Sequence, residues 1–251
     1  MSEHNDSSRW QRARAMAVHL YTASGALWAL LSFEAIFAEN YKLAFVWMFI
    51  AVVVDASDGP FARWADVKQH APQIDGARLD DIIDYLNYTV VPIVLLIHAG
   101  WLPDPAWAWA AVPLVTSALA FSNTGAKDTG EGFFLGFPSY WNIVAFYVEI
   151  GAPNGSEWYV LLLTLALSAL SLAPIRFVYP NRIDRFRWLF IGVGVVWGAM
   201  VLVIALLYPD APRSLVWASL VYPALYVGLS LWLDLRARRL GATSAQGTEP
   251  S

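Results

Sequence analysis

Residues 41–84 read YKLAFVWMFIAVVVDASDGPFARWADVKQHAPQIDGARLDDIID. The run from Leu43 to Val54 is apolar on every side of a helix, not along one stripe, and it passes directly into Asp55 and Asp58. A helix apolar all round is either deep in a core or in a bilayer. The length of this one, about 41–63, is that of a membrane span. A second apolar segment, about 78–99, begins where Asp80, Asp81 and Asp84 lie. The polar stretch joining the two is short, so the helices run antiparallel side by side. Their acidic ends then meet at one membrane face.

The rest of the chain repeats the pattern. Apolar blocks at about 17–38, 105–122, 138–151, 157–178, 187–208 and 213–235 predict further spans, the fifth of the eight being short. The fold expected is an all-α polytopic membrane bundle of about eight transmembrane helices. The breaks carry turn chemistry, as in Ala38-Glu39-Asn40, Leu102-Pro103-Asp104-Pro105 and Pro209-Asp210-Ala211-Pro212. Composition agrees: 58% of the 251 residues are hydrophobic and 14% charged, whereas soluble domains sit near 45–50% and about 25%. Thirteen Trp and eleven Tyr suit the membrane–water boundary. Cysteine is absent, which excludes disulfides and thiolate metal sites. The net charge of −4 says little about partners, and no nucleic-acid partner is expected.

Arg9, Arg12 and Arg14 before an apolar stretch resemble the start of a signal peptide. The stretch from Ala15 to Phe37 is longer than a signal core and no A-x-A site follows it, so a retained first span is expected. Residues 1–16 read as a cytoplasmic interfacial segment, with an interfacial helix over Trp10–Met16. With the N-terminus in the cytoplasm and eight spans, 14 of the 16 Lys and Arg fall inside and only Lys42 and Arg213 outside. This split obeys the positive-inside rule and places both termini in the cytoplasm. One domain is expected over 1–238, followed by a disordered tail over 239–251 rich in Ser, Thr, Gly and Ala.

Seven of the twenty acidic residues lie between Asp55 and Asp84, where membrane depth makes charge costly. At 100° per residue, Asp55, Asp58, Gly59, Ala62 and Arg63 fall within about 140° of one another. Gly76, Asp80 and Asp84 share a second face. Asp75 suits a helix N-cap, and Asp66 and Asp81 suit solvated positions near Arg63, Lys68 and Arg78. Four converging carboxylates repel unless cations sit between them. Hard oxygen ligands of this kind suit Mg²⁺, Mn²⁺ or Ca²⁺, and two such ions could hold a diphosphate. Gly59, Ala62 and Gly76 leave room beside the backbone for a substrate. Pro60 removes an amide from the helix and should kink it.

Asp55-x2-Asp58-Gly59-x2-Ala62-Arg63 followed by Gly76-x3-Asp80-x3-Asp84 resembles the signature of the CDP-alcohol phosphatidyltransferases, D-x2-D-G-x2-A-R-x8-G-x3-D-x3-D. All eight specified positions match, and one spacing departs: twelve residues, not eight, separate Arg63 from Gly76. The surplus falls in the interhelical loop, where length is tolerated. The longer loop, with Phe134–Asn142 (FLGFPSYWN) and Pro174–Arg182 (PIRFVYPNR), looks like the bacterial phosphatidylcholine synthase branch.

The resemblance implies roles. Asp55, Asp58 and Asp80 match metal-binding carboxylates, and Asp84 matches a carboxylate that acts as general base and can also touch metal. Gly59, Ala62, Arg63 and Gly76 match positions around the cytidine nucleotide. Two divalent ions, Mn²⁺ or Mg²⁺, are implied, with CDP-diacylglycerol as donor, choline as acceptor, CMP as leaving group, a bacterial inner membrane and a homodimer with each active site inside one protomer. A quaternary ammonium is recognised by aromatic faces. Tyr140, Trp141 and Tyr147 with Glu149 are therefore the choline-site residues the branch suggests, although chemistry alone reads them as an interfacial aromatic belt. Arg176 and Arg182 could hold the lipid phosphate or simply mark the inner face. A phosphatidylserine synthase shares the signature but would need an arginine for the serine carboxylate. A cation transporter would place its acids nearer the bilayer midplane.

Overall fold

The computed structural model describes residues 2–123, 133–151, 156–178 and 187–246. The chain gathers into two compact units. The first comprises 1–110 and 140–149, and the second 111–139 and 150–251.

Unit 1 is helical. Helices α1 (Ser2–Ala23) and α2 (Gly25–Phe37) follow one another through Ser24, and α3 (Tyr41–Trp64) returns antiparallel to α2. The tight reversal uses Glu39 in the left-handed region (φ 56°). Asn40 then caps α3 by accepting from the Leu43 amide at 3.1 Å. Trp28 stacks on Trp47 at 5.8 Å between α2 and α3. The twelve-residue loop of the signature contains a short helix, α4 (Val67–His70), entered through Asp66 at φ 48°. Val67, Ala65 and Ala71 bury against Ala15 and Val18 of α1, so the loop residues cover the second half of the first helix. Helix α5 (Gly76–Asp84) begins at Asp75, whose side chain accepts from the amides of Ala77 and Arg78, the N-cap expected from the sequence. A π turn, Tyr85–Val90, joins α5 to α6 (Val91–His98) without a break.

Gly25 is required where α2 meets α5. A Cβ there would collide with the side chain of Ile83, and the Gly25 carbonyl accepts from Asn87 Nδ2 at 3.0 Å. The α2 backbone thereby comes directly against the segment that carries Asp84. The expected interfacial helix over Trp10–Met16 is part of the uninterrupted α1, and α3 continues through Pro60 to Trp64.

Helix α7 (Ala106–Ser122) begins in unit 1 and ends in unit 2, and α8 (Trp141–Gly151) lies in unit 1 apart from its last two residues. Unit 2 holds α9 (Glu157–Leu172), α10 (Arg187–Leu207), α11 (Arg213–Ser219) and α12 (Val221–Gln246). Large apolar side chains on these helices face outward, among them Leu162, Val195, Val196, Leu206, Leu225 and Trp232. That is the pattern of a surface solvated by lipid, since no core explains it.

The fold is helical as expected, with one short β ribbon added. Strands β1 (Phe133–Leu135) and β2 (Arg176–Val178) pair antiparallel, with Phe134 opposite Phe177. The two downstream motifs of the sequence, Phe134–Asn142 and Pro174–Arg182, thus meet through backbone hydrogen bonds. Gly136 (φ 85°) makes the pairing possible: its amide donates to the Ile175 carbonyl at 2.8 Å. A Cβ on Gly136 would strike the Ser171 carbonyl oxygen.

Among the described residues, four helical stretches are long and apolar enough to cross a membrane: Ser8–Phe37, Tyr41–Trp64, Gly76–His98 and Arg213–Arg236. Ala106–Ser122, Glu157–Leu172 and Ile191–Leu207 are shorter apolar helices. Helix α12 runs on to Gln246, into the region expected as a disordered tail. Arg238, Arg239, Leu240 and Ala242 are good helix formers and extend it.

Candidate active site

The four aspartates converge, but not equally. Carboxylate oxygens of Asp55, Asp80 and Asp84 all lie within 4.8 Å of one another. Oxygens at such separations can share a cation with bonds of about 2.0–2.6 Å. These three residues therefore fit a divalent metal, and all three are partly buried. Asp58 stands to one side of them. It is 8% exposed and accepts from Thr22 Oγ1 at 2.8 Å. All four acids nevertheless line one small hollow with Thr22, Asn87 and Tyr88.

Each carboxylate is positioned by its surroundings. Asp55 Oδ2 accepts from the Tyr88 hydroxyl at 2.6 Å, the short distance of a charge-assisted bond. Tyr88 lies in the π turn, whose extra residue per turn resets the helix face immediately after Asp84. Such turns recur at functional sites. Asn87, in the same turn, donates to Gly25 and Ile83, which ties it to α2. Helix α1 is fixed on α3 by Thr22–Asp58 and by Tyr21–Ser57 at 2.8 Å.

Beside the acids opens a cavity of ≈ 510 Å³, lined among others by His19, Thr22, Asp58, Gly59, Ala62, Lys68, Gly76 and Asp80. Thr22, Asp58 and Asp80 line both this cavity and the small hollow, so the two spaces adjoin. Three of the four positions expected around a nucleotide, Gly59, Ala62 and Gly76, line the cavity. Arg63 is exposed and lines, with Ala62, Asp66 and Lys68, a separate hollow at the end of α3. Asp75 pairs with Arg78 at 3.3 Å on the surface.

The aromatic cluster is divided. Tyr140 stands 6.5 Å, ring centre to ring centre, from Tyr88, the residue that bonds Asp55. Trp141 is fully buried. Tyr147 packs edge-on against Phe146, which in turn packs on Phe45 of α3. Glu149 accepts from Trp101 Nε1 at 2.5 Å. Trp101 follows the end of α6, where His98 meets Tyr41 at 3.3 Å. Tyr41 begins α3, so Glu149 sits near the end of that helix, about 21 Å of helix from Asp55. The structure brings Tyr140 to the acids and leaves Glu149 away from them. Arg176 lies in β2, its side chain beyond the described atoms, and Arg182 lies outside the described residues.

His19, Thr22 and Tyr88 escaped the sequence reading. The signal for the first two was present: two polar residues three apart in the apolar second half of α1 share a face. Tyr88 gave no signal, because its placement depends on the π turn.

A hairpin of membrane helices that gathers carboxylates beside a glycine-lined cavity is the arrangement that the resemblance to the CDP-alcohol phosphatidyltransferases implies. No protein-family model matches the chain. It is similar to the phosphatidylcholine synthase of Pseudomonas aeruginosa, 34% identical over 226 residues, covering 90% of this chain and 94% of that protein. The phosphatidylcholine synthase of Brucella melitensis is 39% identical over 203 residues, 80% of this chain and 72% of that one. That of Legionella pneumophila is 37% identical over 226 residues, 87% and 88% of the two chains. The chain belongs to the phosphatidylcholine synthase family.

Proposed function

We propose that this protein makes phosphatidylcholine by transferring the phosphatidyl group of CDP-diacylglycerol to choline, with release of CMP. The observation that carries the reading is the junction of two spaces in unit 1. Three carboxylates close enough to share a cation adjoin a cavity lined by the small residues of the nucleotide signature.

In this reading Asp55, Asp80 and Asp84 would hold one Mn²⁺ or Mg²⁺, and Asp58 would help to hold a second. Such ions would supply positive charge against the diphosphate and the leaving CMP. Gly59, Ala62 and Gly76 admit the nucleotide close to the backbone, and Arg63 adds positive charge at the mouth of the site. Asp84 accepts the proton of the choline hydroxyl as that oxygen attacks the lipid-side phosphorus. Tyr88 orients Asp55, and Thr22 orients Asp58. Choline's cation rests on aromatic faces led by Tyr140 and Tyr147; the full burial of Trp141 and the placement of Glu149 do not support a part for either. Eight spans with both termini in the cytoplasm, an inner bacterial membrane and a homodimer complete the proposal. The 14-to-2 division of basic residues supports the topology.

Substitution of the acids tests the site. Asp55→Ala, Asp58→Ala and Asp80→Ala, each inserted and folded, should lose turnover, and EDTA should abolish wild-type activity until Mn²⁺ or Mg²⁺ is restored. Near-normal turnover of any one variant at ordinary metal concentration removes that residue from the site.

A further inference from the structure

One side chain in the wall of the ≈ 510 Å³ cavity lies outside the aspartate signature and lacks a hydrogen bond at a buried atom. His19 of α1 is 5% exposed and lines the cavity beside Asp58, Gly59, Gly76 and Asp80. Its Nε2 is buried without a partner. Buried polar atoms are almost always satisfied, and an exception asks for a reason. Packing alone supplies none, because a leucine or valine would fill the position without the cost of burying an imidazole nitrogen.

The neighbouring glycine is shaped to the ring. A Cβ on Gly76 would approach His19 Cε1 to 3.2 Å, so the glycine leaves the space that the imidazole edge occupies. The sequence reading took Gly76 as room for a substrate alone. Here it also seats a side chain from another helix, 57 residues earlier in the chain.

A metal-ligand role does not fit. Among the described residues the carboxylates of Asp55, Asp80 and Asp84 come together as ligands, and His19 is not part of that group. Choline does not fit either. Its ammonium carries no hydrogen-bond donor or acceptor, and its hydroxyl must reach Asp84, which lines the small hollow and not the cavity. A pyrimidine nucleotide does fit, since cytosine offers both donors and acceptors along its edge, and a neutral imidazole nitrogen can serve as either.

We propose that His19 binds the nucleotide: the imidazole turns about its Cβ–Cγ bond to bring Nε2 to the Gly76 side, where Cε1 now lies, and Nε2 there hydrogen-bonds the cytidine portion of CDP-diacylglycerol and of the product CMP. The assignment rests on the cavity being the nucleotide site, as in the function proposed above.

CMP binding to the detergent-solubilised protein with Mn²⁺, followed by isothermal titration calorimetry, tests it together with Michaelis constants for both substrates. His19→Leu should weaken CMP about tenfold, the scale of one lost hydrogen bond. It should raise the constant for CDP-diacylglycerol by a similar factor and leave those for choline and Mn²⁺ unchanged. His19→Gln, which keeps a donor and an acceptor at similar reach, should recover most of the loss. If His19→Leu does not fold, His19→Asn, whose amide is too short to replace Nε2, should show the same tenfold loss. Wild-type CMP affinity in the Leu or Asn variant overturns the role of His19 and leaves the nucleotide site standing. Absence of CMP binding to the wild-type protein overturns the nucleotide reading of the cavity, and this inference with it.

Discussion

Tyr88→Phe removes one oxygen from the site and nothing else. The Tyr88 hydroxyl donates to Asp55 Oδ2 at 2.6 Å, while its ring packs edge-on at 6.5 Å from Tyr140. Phenylalanine keeps the ring and loses the bond. A hydrogen bond to a charged group is worth about 1.5–3 kcal/mol, or about 10- to 150-fold in an equilibrium constant. Loss of a hydrogen bond that orients a metal ligand costs about 10- to 100-fold in metal affinity, so the two estimates overlap. The assay is initial rate against buffered free Mn²⁺. The half-saturating concentration should rise about 10- to 100-fold, with the maximal rate largely restored at high metal. A titration curve that superimposes on the wild type would show that Asp55 does not depend on Tyr88. Loss of maximal rate with no shift in metal dependence would show that Tyr88 acts on a substrate instead.

Two further predictions concern the acceptor and the topology. Tyr140→Leu should raise the Michaelis constant for choline about thirtyfold, the effect of a desolvated cation–π contact of about 2 kcal/mol, whereas Glu149→Gln should leave it unchanged; the reverse result moves the choline site to the other end of α3. Because the chain has no cysteine, a single Cys at Ser8 or Ser244 should react with an impermeant maleimide only after the inner face is opened, and one at Asn154 should react from outside. Reversed labelling at either terminus contradicts the eight-span arrangement.

The hairpin that carries the acids was legible because its signals are local. An apolar run ending in Asp55 and Asp58, a polar link, and Asp80 and Asp84 four apart fix two antiparallel helices and the faces they turn to each other. The N-cap at Asp75 was legible for the same reason. Three features were not. The π turn at Tyr85–Val90 has no composition of its own and depends on how the helix packs against α2 through Gly25. The set-apart position of Asp58 depends on Thr22, 36 residues earlier, and periodicity within one helix carries nothing about another. The pairing of Phe133–Leu135 with Arg176–Val178 joins segments too short to show an alternating pattern. Glu149 was grouped with Tyr140 because both lie in one short apolar block, about 138–151, and α8 begins directly after Tyr140. Nine residues of helix rise about 13 Å, and that distance separates a residue beside the acids from one beside Trp101.

Acceptor specificity tests the central claim most directly. The purified protein, given CDP-diacylglycerol and Mn²⁺, is offered choline, serine, inositol or glycerol phosphate in parallel, and CMP and lipid products are measured. CMP release that requires choline, matched by phosphatidylcholine and lost in Asp80→Ala, is the predicted result. CMP release with serine or glycerol phosphate but not choline would contradict it.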